Sequence, residues 1–350
     1  MHISSETRLF IREHSTDDVR TLALQSKKYP DVDMPVAITQ IAGRQIAAEK
    51  IPSWKKIEDI RYPKHLSLEQ CSSEITAYYK ASLLQGDSLT DLTGGFGVDC
   101  SFLAERFKSV TYVERQEELC GIAAHNFPIL GLNHINVKNE DGIAHLKAMS
   151  PVDCIFLDPA RRNEHGGKAV AISDCEPDVA ELEGLLLNKA KQVMVKLSPM
   201  LDLSLALREL QQTQEVHIIS VNNECKELLL ILGQTVPQEI IIHCVNLSTK
   251  GEQEGQHFTF TREQEQCSQC NYTDSLDEYL YEPNASLLKA GAFKSLSSAF
   301  PIRKLHPNSH LYTSDILIDN FPGRIFRIVN QCSFNKKESK ECLADLKKAN

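Results

Sequence analysis

No stretch of the 350 residues approaches the ~18 consecutive apolar positions that a membrane-spanning helix requires. The start, Met1-His2-Ile3-Ser4-Ser5-Glu6, also lacks the basic and then apolar segments of a secretory signal. A cytoplasmic protein with no membrane partner is the expectation. Regular cysteine spacing is missing too. The eleven cysteines, an odd number, are scattered along a chain large enough to bury its core without staples, so they read as reduced thiols. Cys267-Ser268-Gln269-Cys270 has no second pair at zinc spacing, and no metal is expected. There is no internal repeat. Positive charge is the minority: 38 Lys+Arg against 47 Asp+Glu leave a net charge of −9. That excludes nonspecific coating of DNA, which draws on counterion release by cations, but leaves room for a local basic face.

What is present is ordinary globular composition, 42% hydrophobic and 24% charged, in a length suited to two or three domains. Residues 1–85 read as helical. Val36, Ile38, Ile41, Ile46 and Ala47 recur at helical spacing before Pro52, and a second helix is expected over 66–84, with Ser67 as a cap and Gln70 three residues later. From residue 88 the texture changes to short β-rich runs at 88–92, 109–113, 135–137, 154–157, 193–197, 216–221 and 228–232. The first five alternate with helix-length connections and predict parallel βαβ units. The last two are joined only by 222–227, too short for a parallel crossover, and predict an antiparallel pair. Further strands are expected at 239–247 and 257–261, and the Gln/Glu-rich run 252–266 otherwise reads as an exposed loop.

The strongest local signal is Asp91-Leu92-Thr93-Gly94-Gly95-Phe96-Gly97-Val98-Asp99, which follows an apolar strand and opens a helix. Its glycines allow a tight turn and close approach of a ligand. Seventeen residues after Gly97 the next strand delivers Glu114 to its carboxyl end, where a carboxylate can accept both hydroxyls of a ribose. A third acidic turn, Glu140-Asp141-Gly142, suits an adenine amino group. A dinucleotide fold would use similar logic. However, the glycines are not spaced G-x-G-x-x-G, and Asp91 at the head of the turn suits an ammonium better than a pyrophosphate. Three acidic positions and no phosphate cradle favour S-adenosyl-L-methionine, an amino acid, a sulfonium and an adenosine in one molecule. Asp91, Thr93, Gly94, Gly95, Gly97, Glu114 and Asp141 are its candidate binding residues.

The fourth strand ends in Leu157-Asp158-Pro159-Ala160-Arg161-Arg162, at the sheet edge where doubly wound folds place their chemistry. Asp158 can accept a hydrogen bond from an acceptor amine, and Pro159 stiffens the turn. Arg161 and Arg162 can clamp a phosphate or carboxylate. Asp158, Pro159 and Arg161 are the catalytic candidates. Lys196 and Ser198 close the fifth strand beside the same cleft, and Lys196 is a candidate substrate contact. Methyl transfer from a sulfonium is an in-line displacement that alignment accelerates. Carbon methylation would instead call for a cysteine nucleophile, for which Cys225 stands at a strand end.

Together, the run Asp91 to Asp99, Glu114, Asp141 and Asp158-Pro159-Ala160-Arg161-Arg162 resemble class I S-adenosylmethionine-dependent methyltransferases. More narrowly, Leu68-Glu69-Gln70-Cys71-Ser72-Ser73-Glu74-Ile75-Thr76-Ala77, Tyr281-Glu282-Pro283-Asn284, Lys289-Ala290-Gly291-Ala292-Phe293 and Leu311-Tyr312-Thr313-Ser314 are similar to the group with ferredoxin-like and THUMP-like modules after the catalytic domain. The resemblance implies an α/β, doubly wound seven-stranded sheet over 86–262, after an N-terminal helical domain over 1–85. It further implies a ferredoxin-like α+β module over 263–350, with the THUMP-like part expected to be truncated. Gln70, Ser73 and Thr76 would close over the methionine end of the cofactor. Structured RNA, tRNA or rRNA, is the implied substrate, with Lys294, Arg303 and Lys304 as its C-terminal face. A noncatalytic RNA-binding protein with a retained cofactor fold, and a methyltransferase for a small molecule or protein, are the alternatives. The motif here is Asp-Pro-Ala-Arg rather than the Asp-Pro-Pro-Tyr type whose ring stacks on a target base, which leaves the methylated atom open.

Overall fold

A computed structural model describes residues 3–161, 171–249, 255–333, 335, 336, 338 and 340. They fall into two compact units, 1–215 with 227–238, and 216–226 with 239–350. The helical segment before residue 86 therefore belongs to the same unit as the strands that follow it.

That segment holds α1 (Ser5–Glu13), α2 (Val19–Leu24), α3 (Met34–Lys50), α4 (Pro52–Lys55), α5 (His65–Gln70) and α6 (Glu74–Leu83). Ser4, Asp18 and Asp33 cap the first three, each accepting a backbone N–H in the first turn. Phe10, Leu22, Met34, Ala37 and Ile41 bury the shared apolar face. The single helix expected over 66–84 is two helices, parted at residues 71–73. Ser67 is not its cap, since Lys64 occupies the N-cap without a side-chain bond.

The same unit carries β1 (Ser88–Asp91), β2 (Ser109–Glu114), β3 (Ile135–Asn139), β4 (Val152–Leu157), β5 (Ala190–Leu197), the first residues of β6 (Thr213–Val221) and most of β7 (Glu224–Gly233). The strand order is β6-β7-β5-β4-β1-β2-β3. β1 to β5 pair in parallel, and β7 runs antiparallel to β5 in register Lys196 to Leu229. The seven strands expected are thus present in doubly wound order, within a sheet that counts nine strands where seven were expected. Its central strands are near-continuous apolar runs because helices cover both faces. Helices α7 (Val98–Ala104), α8 (Glu117–Ile129), α9 (Gly142–Ala148), α10 (Val179–Lys189) and α11 (Leu203–Glu209) make the crossovers. The turn into β7 is tighter than the expected 222–227. Only Asn222 and Asn223 lie outside the strands, both at positive φ, and Glu227 is inside β7.

In the second unit β8 (Ile241–Leu247) pairs antiparallel with β9 (Gln256–Thr261). The Gln/Glu-rich run is not a loop over its described part: Thr261 and Gln264 form a capping box that starts a helix at Arg262–Cys267. Strands β10 (Tyr279–Pro283), β11 (Arg303–Lys304), β12 (Tyr312–Ser314) and β13 (Gly323–Arg327) form a small antiparallel sheet in the order β11-β12-β10-β13. Among the described residues no helix is long and apolar enough to cross a membrane.

Candidate active site

Four chain segments meet at the carboxyl rim of β1, β2 and β4. Asp91 ends β1, 1% exposed, and its Oδ1 accepts from Thr93 N at 3.0 Å. The bend that follows is built on absent side chains. A Cβ on Gly94 would lie 2.2 Å from the Tyr112 ring, and Gly97, at φ +87°, would meet Phe127 at 2.9 Å. Glu114, ending β2, points into this bend: its Oε2 accepts from Gly95 N at 2.9 Å and its Oε1 from Gln116 N at 2.8 Å. The Tyr112 hydroxyl donates to Gly95 O and fastens the other side of the loop.

Asp141 caps α9 through Ala144 N at 2.9 Å and is exposed. Its neighbour Gly142 packs so closely on the β1 end that a Cβ would stand 2.4 Å from Leu92 O, which brings the third acidic turn beside the glycine bend. Thr93 reaches the fourth segment, its Oγ1 accepting from Asp158 N at 2.6 Å. After Pro159, Ala160–Arg161 pairs with Cys175–Glu176 in a short antiparallel ribbon. Arg162 lies outside the described residues.

Asp158 is also tied to a buried ionic network. Lys196 Nζ stands 2.6 Å from Asp158 Oδ2, 3.1 Å from Asp99 Oδ2 and 3.0 Å from Ser72 Oγ. Ser72 donates to Asp99 Oδ2 at 2.7 Å. Lys80, fully buried on α6, faces Asp99 Oδ1 at 3.1 Å, donates to Ser72 Oγ at 3.1 Å and pairs closely with Glu227 of β7. Two ammonium groups thus face three carboxylates. Ser72 lies in the break between α5 and α6, where the backbone is extended at Cys71 and Ser73.

The two buried aspartates of this rim have opposite electrostatics. Burial raises the Asp99 pKa, but Lys196 and Lys80 outweigh it and hold the carboxyl below the usual range. Asp91 is raised well above its ordinary value by burial, with the neighbouring Asp99, Asp158 and Glu114 adding to the effect. Burial also raises Asp158, against the pull of Lys196. The side chain of Asp158 is 39% open, and the Lys196 ammonium at 2.6 Å favours its charged form.

The sequence-derived candidates therefore separate. Asp91, Thr93, Gly94, Gly95, Gly97, Glu114, Asp141 and Asp158 share one rim. Thr76 is buried within reach of Lys80 at 3.4 Å, and Ser73 bonds Thr76 at 3.3 Å. Gln70 is exposed at the end of α5. Lys196 is 7% exposed, with its ammonium engaged by Asp158, Asp99 and Ser72. The members of the C-terminal cationic strip differ in exposure. Lys304 is 3% exposed, donates to Pro307 O at 2.9 Å and lies over the Phe293 ring, and Arg303 is paired with Asp277. Lys294 is exposed. Ser72, Lys80, Asp99 and Glu227 take on roles that the sequence alone does not assign.

Residues 37–163 match the protein-L-isoaspartate(D-aspartate) O-methyltransferase family, and residues 279–322 match a ferredoxin-like domain. None of the curated proteins matches. The crystal structure of a "putative methyltransferase" from Porphyromonas gingivalis W83 is 34% identical, with a TM-score of 0.85, over 98% of this chain and 87% of its own. An rRNA methylase from Streptococcus thermophilus aligns at 15% identity and a TM-score of 0.33, over 45% of this chain and 93% of its own. A "putative methyltransferase" from Streptococcus mutans in complex with SAH aligns at 12% and 0.33, over 46% and 96%. On the glycine bend, the seven-stranded order and the Porphyromonas gingivalis relative, the chain belongs to the class I S-adenosylmethionine-dependent methyltransferases, in the group whose catalytic domain is followed by a ferredoxin-like domain.

Proposed function

We propose that the protein binds S-adenosyl-L-methionine at the rim of β1 and β2 and transfers its methyl group to an amine of a structured RNA, in the cytoplasm. The observation that carries the cofactor reading is Asp91: a 1% exposed carboxylate at the glycine bend, its pKa pushed up first by burial and further by the neighbouring Asp99, Asp158 and Glu114, with no cation paired to it among the described residues. A buried acid in that position is stabilised in its charged form by a cationic ligand. The cradle fits the rest of the molecule. Gly94, Gly95 and Gly97 leave room for backbone contact, and in this reading Glu114 serves the ribose hydroxyls and Asp141 the adenine amino group.

When bound, the cofactor supplies an electrophilic methyl on a sulfonium. The chain supplies alignment and charge. Asp158, carried on the stiff turn before Pro159 and held by Lys196 and by Thr93, accepts a hydrogen bond from the acceptor amine and leaves its lone pair directed at the methyl carbon. Arg161 and Arg162 are proposed to hold the acceptor's phosphate or carboxylate.

RNA as acceptor rests on the family resemblance, with Lys294 the exposed member of the C-terminal cations named for it. A second reading, a protein or small-molecule acceptor, is favoured by the pairing of Arg303, Arg324 and Arg327 with Asp277, Glu282 and Glu278, which commits these three guanidinium groups to acids of the same chain. Calorimetric titration of S-adenosylhomocysteine into wild type and Asp91→Ala tests the cofactor site, and absence of wild-type binding would remove the proposal. Incubation with labelled cofactor and either total RNA or a cell extract freed of RNA, followed by identification of the labelled nucleoside, protein or metabolite, decides the acceptor.

A further inference from the structure

The N-terminal helical segment carries a feature that methyl transfer does not use. A cleft of about 610 Å³, its open mouth included, is walled by Arg8, Arg12, Arg44 and Arg61 from α1, α3 and the connection after α4. Four guanidinium groups converge there on a chain whose net charge is −9. Acids at the same cleft, Glu58 and Asp59, are fewer. Arg12 approaches Glu58 only at 3.8 Å, with both side chains about two-thirds exposed, a contact of little energy. Among the described residues no carboxylate lies within 4 Å of Arg8, Arg44 or Arg61. The Arg61 pKa is lowered first by burial and next by the like charge of Arg8, with Asp59 opposing both.

The wall is built rather than incidental. Asn126, buried on α8, grips the Arg61 backbone at both ends, accepting from its N at 2.9 Å and donating to its O at 2.9 Å. Gln40 does the same for Tyr62, accepting from its N at 2.9 Å and donating to its O at 2.8 Å. Gly43 permits this approach, since a Cβ there would fall 2.3 Å from Tyr62 Cβ. Tyr62 lines the cleft, is 3% exposed, and its hydroxyl has no hydrogen-bond partner among the described residues. Its ring in turn lies 6.3 Å from that of Phe96, inside the glycine bend. The cleft and the candidate cofactor site thus share a wall.

We propose that this arginine cleft binds the phosphodiester backbone of the RNA acceptor and feeds it toward the glycine bend, an inference that rests on the RNA reading given above. Guanidinium forks match phosphate oxygens bidentately, and an anion between Arg8 and Arg61 relieves their repulsion. In the C-terminal module Lys304 is buried and Arg303, Arg324 and Arg327 are paired with acids, so these four cations need not supply the RNA affinity.

The test is fluorescence anisotropy of a labelled tRNA mixture, run from about 50 to 200 mM salt, with wild type, Arg8→Glu/Arg12→Glu and Arg61→Ala. Arg8 and Arg12 are exposed, so the double variant keeps the fold even where Arg61→Ala unfolds. Expected is at least tenfold weaker binding for the double variant and a shallower dependence of log affinity on log salt, by about 0.7 to 0.9 for each phosphate that is no longer neutralised. S-adenosylhomocysteine binding, titrated on the same samples, stays unchanged. Wild-type-like RNA affinity in the charge-reversed variant overturns the proposal. So does wild-type protein that takes up S-adenosylhomocysteine yet leaves tRNA unbound, a result that spares the cofactor reading. Displacement of the tRNA by inorganic phosphate at equal molar phosphate concentration also overturns it, since the cleft would then be a free-phosphate site.

Discussion

Lys196 holds its ammonium 2.6 Å from Asp158 at the end of β4, and the same nitrogen stands 3.1 Å from Asp99 at the start of α7. One buried cation therefore fixes both the proposed acceptor carboxylate and the helix that follows the glycine bend. Removing it leaves carboxylates in low dielectric without their partner, a change that typically costs about 3–5 kcal/mol. Lys196→Met is expected to lose about 3 kcal/mol, near the low end of that range because Lys80 still faces Asp99. Urea denaturation at neutral pH measures it. Asp158 would also lose the pull that opposes its burial, so its pKa rises and the acid limb of the methyl-transfer profile moves to higher pH. Wild-type stability together with an unmoved acid limb would show that Lys196 holds nothing.

Asp91 yields a pH prediction of defined sign. Its folded pKa lies well above the ordinary 3.8, so the folded state binds its proton more tightly than the unfolded chain does. Stability from this group is fully present below 3.8 and is lost as pH rises from there through the raised folded value. Asp91→Asn removes the loss, so the variant's stability should fall less than that of wild type as pH climbs from 3.8 to the raised value. A cationic ligand selects the ionised form, so at pH values between 3.8 and the raised folded value, where Asp91 still carries its proton, cofactor binding should release that proton. Calorimetry in two buffers of different ionisation enthalpy reads that release directly. Wild type is expected to release protons, whereas Asp91→Asn should release none and bind at least tenfold more weakly. Equal proton counts in the two proteins would put the charge coupling elsewhere.

Why Asp91 is legible in the sequence and the network around Lys196 is not is a matter of range. Asp91 and the glycines are local: a carboxylate at a strand end and a turn that needs positive φ leave their signature within ten residues, and Glu114 follows at the end of the next strand. The ionic network is not local. Ser72 and Glu227 are 155 positions apart, and only the pairing of β7 beside β5 brings them together. Lys80 reads equally well as part of a solvated helix face, although its apolar neighbours Ala77 and Ala81 at helical spacing hint at burial. Glu227 stands directly before five apolar residues, 228–232, where a charge suggests a loop, yet a strand can carry a buried carboxylate when a distant lysine meets it. Lys304 fails in the opposite way. A run of cations without acids says nothing about burial, and the tertiary packing that puts its ammonium over Phe293 overrides the composition.

The glycine bend allows a comparison between neighbouring positions. Gly95 has φ +54°, and only the Thr93 carbonyl oxygen lies within 4 Å of where an added methyl would sit, so Gly95→Ala bears the left-handed cost alone, roughly 1–2 kcal/mol. Gly94 has no such φ, but its methyl would overlap the Tyr112 ring, which is buried, pinned through its hydroxyl to Gly95 O and packed 5.4 Å from Phe127. A ring held on three sides cannot step aside. Gly94→Ala should therefore destabilise more than Gly95→Ala despite its ordinary backbone, and should also displace Glu114, whose carboxylate depends on the Gly95 N–H. Thermal unfolding ranks the two variants, and S-adenosylhomocysteine titration of whatever folds should show the weaker binding in Gly94→Ala. The reverse order in both measurements would mean that backbone conformation, and not the Tyr112 wall, sets the shape of the bend.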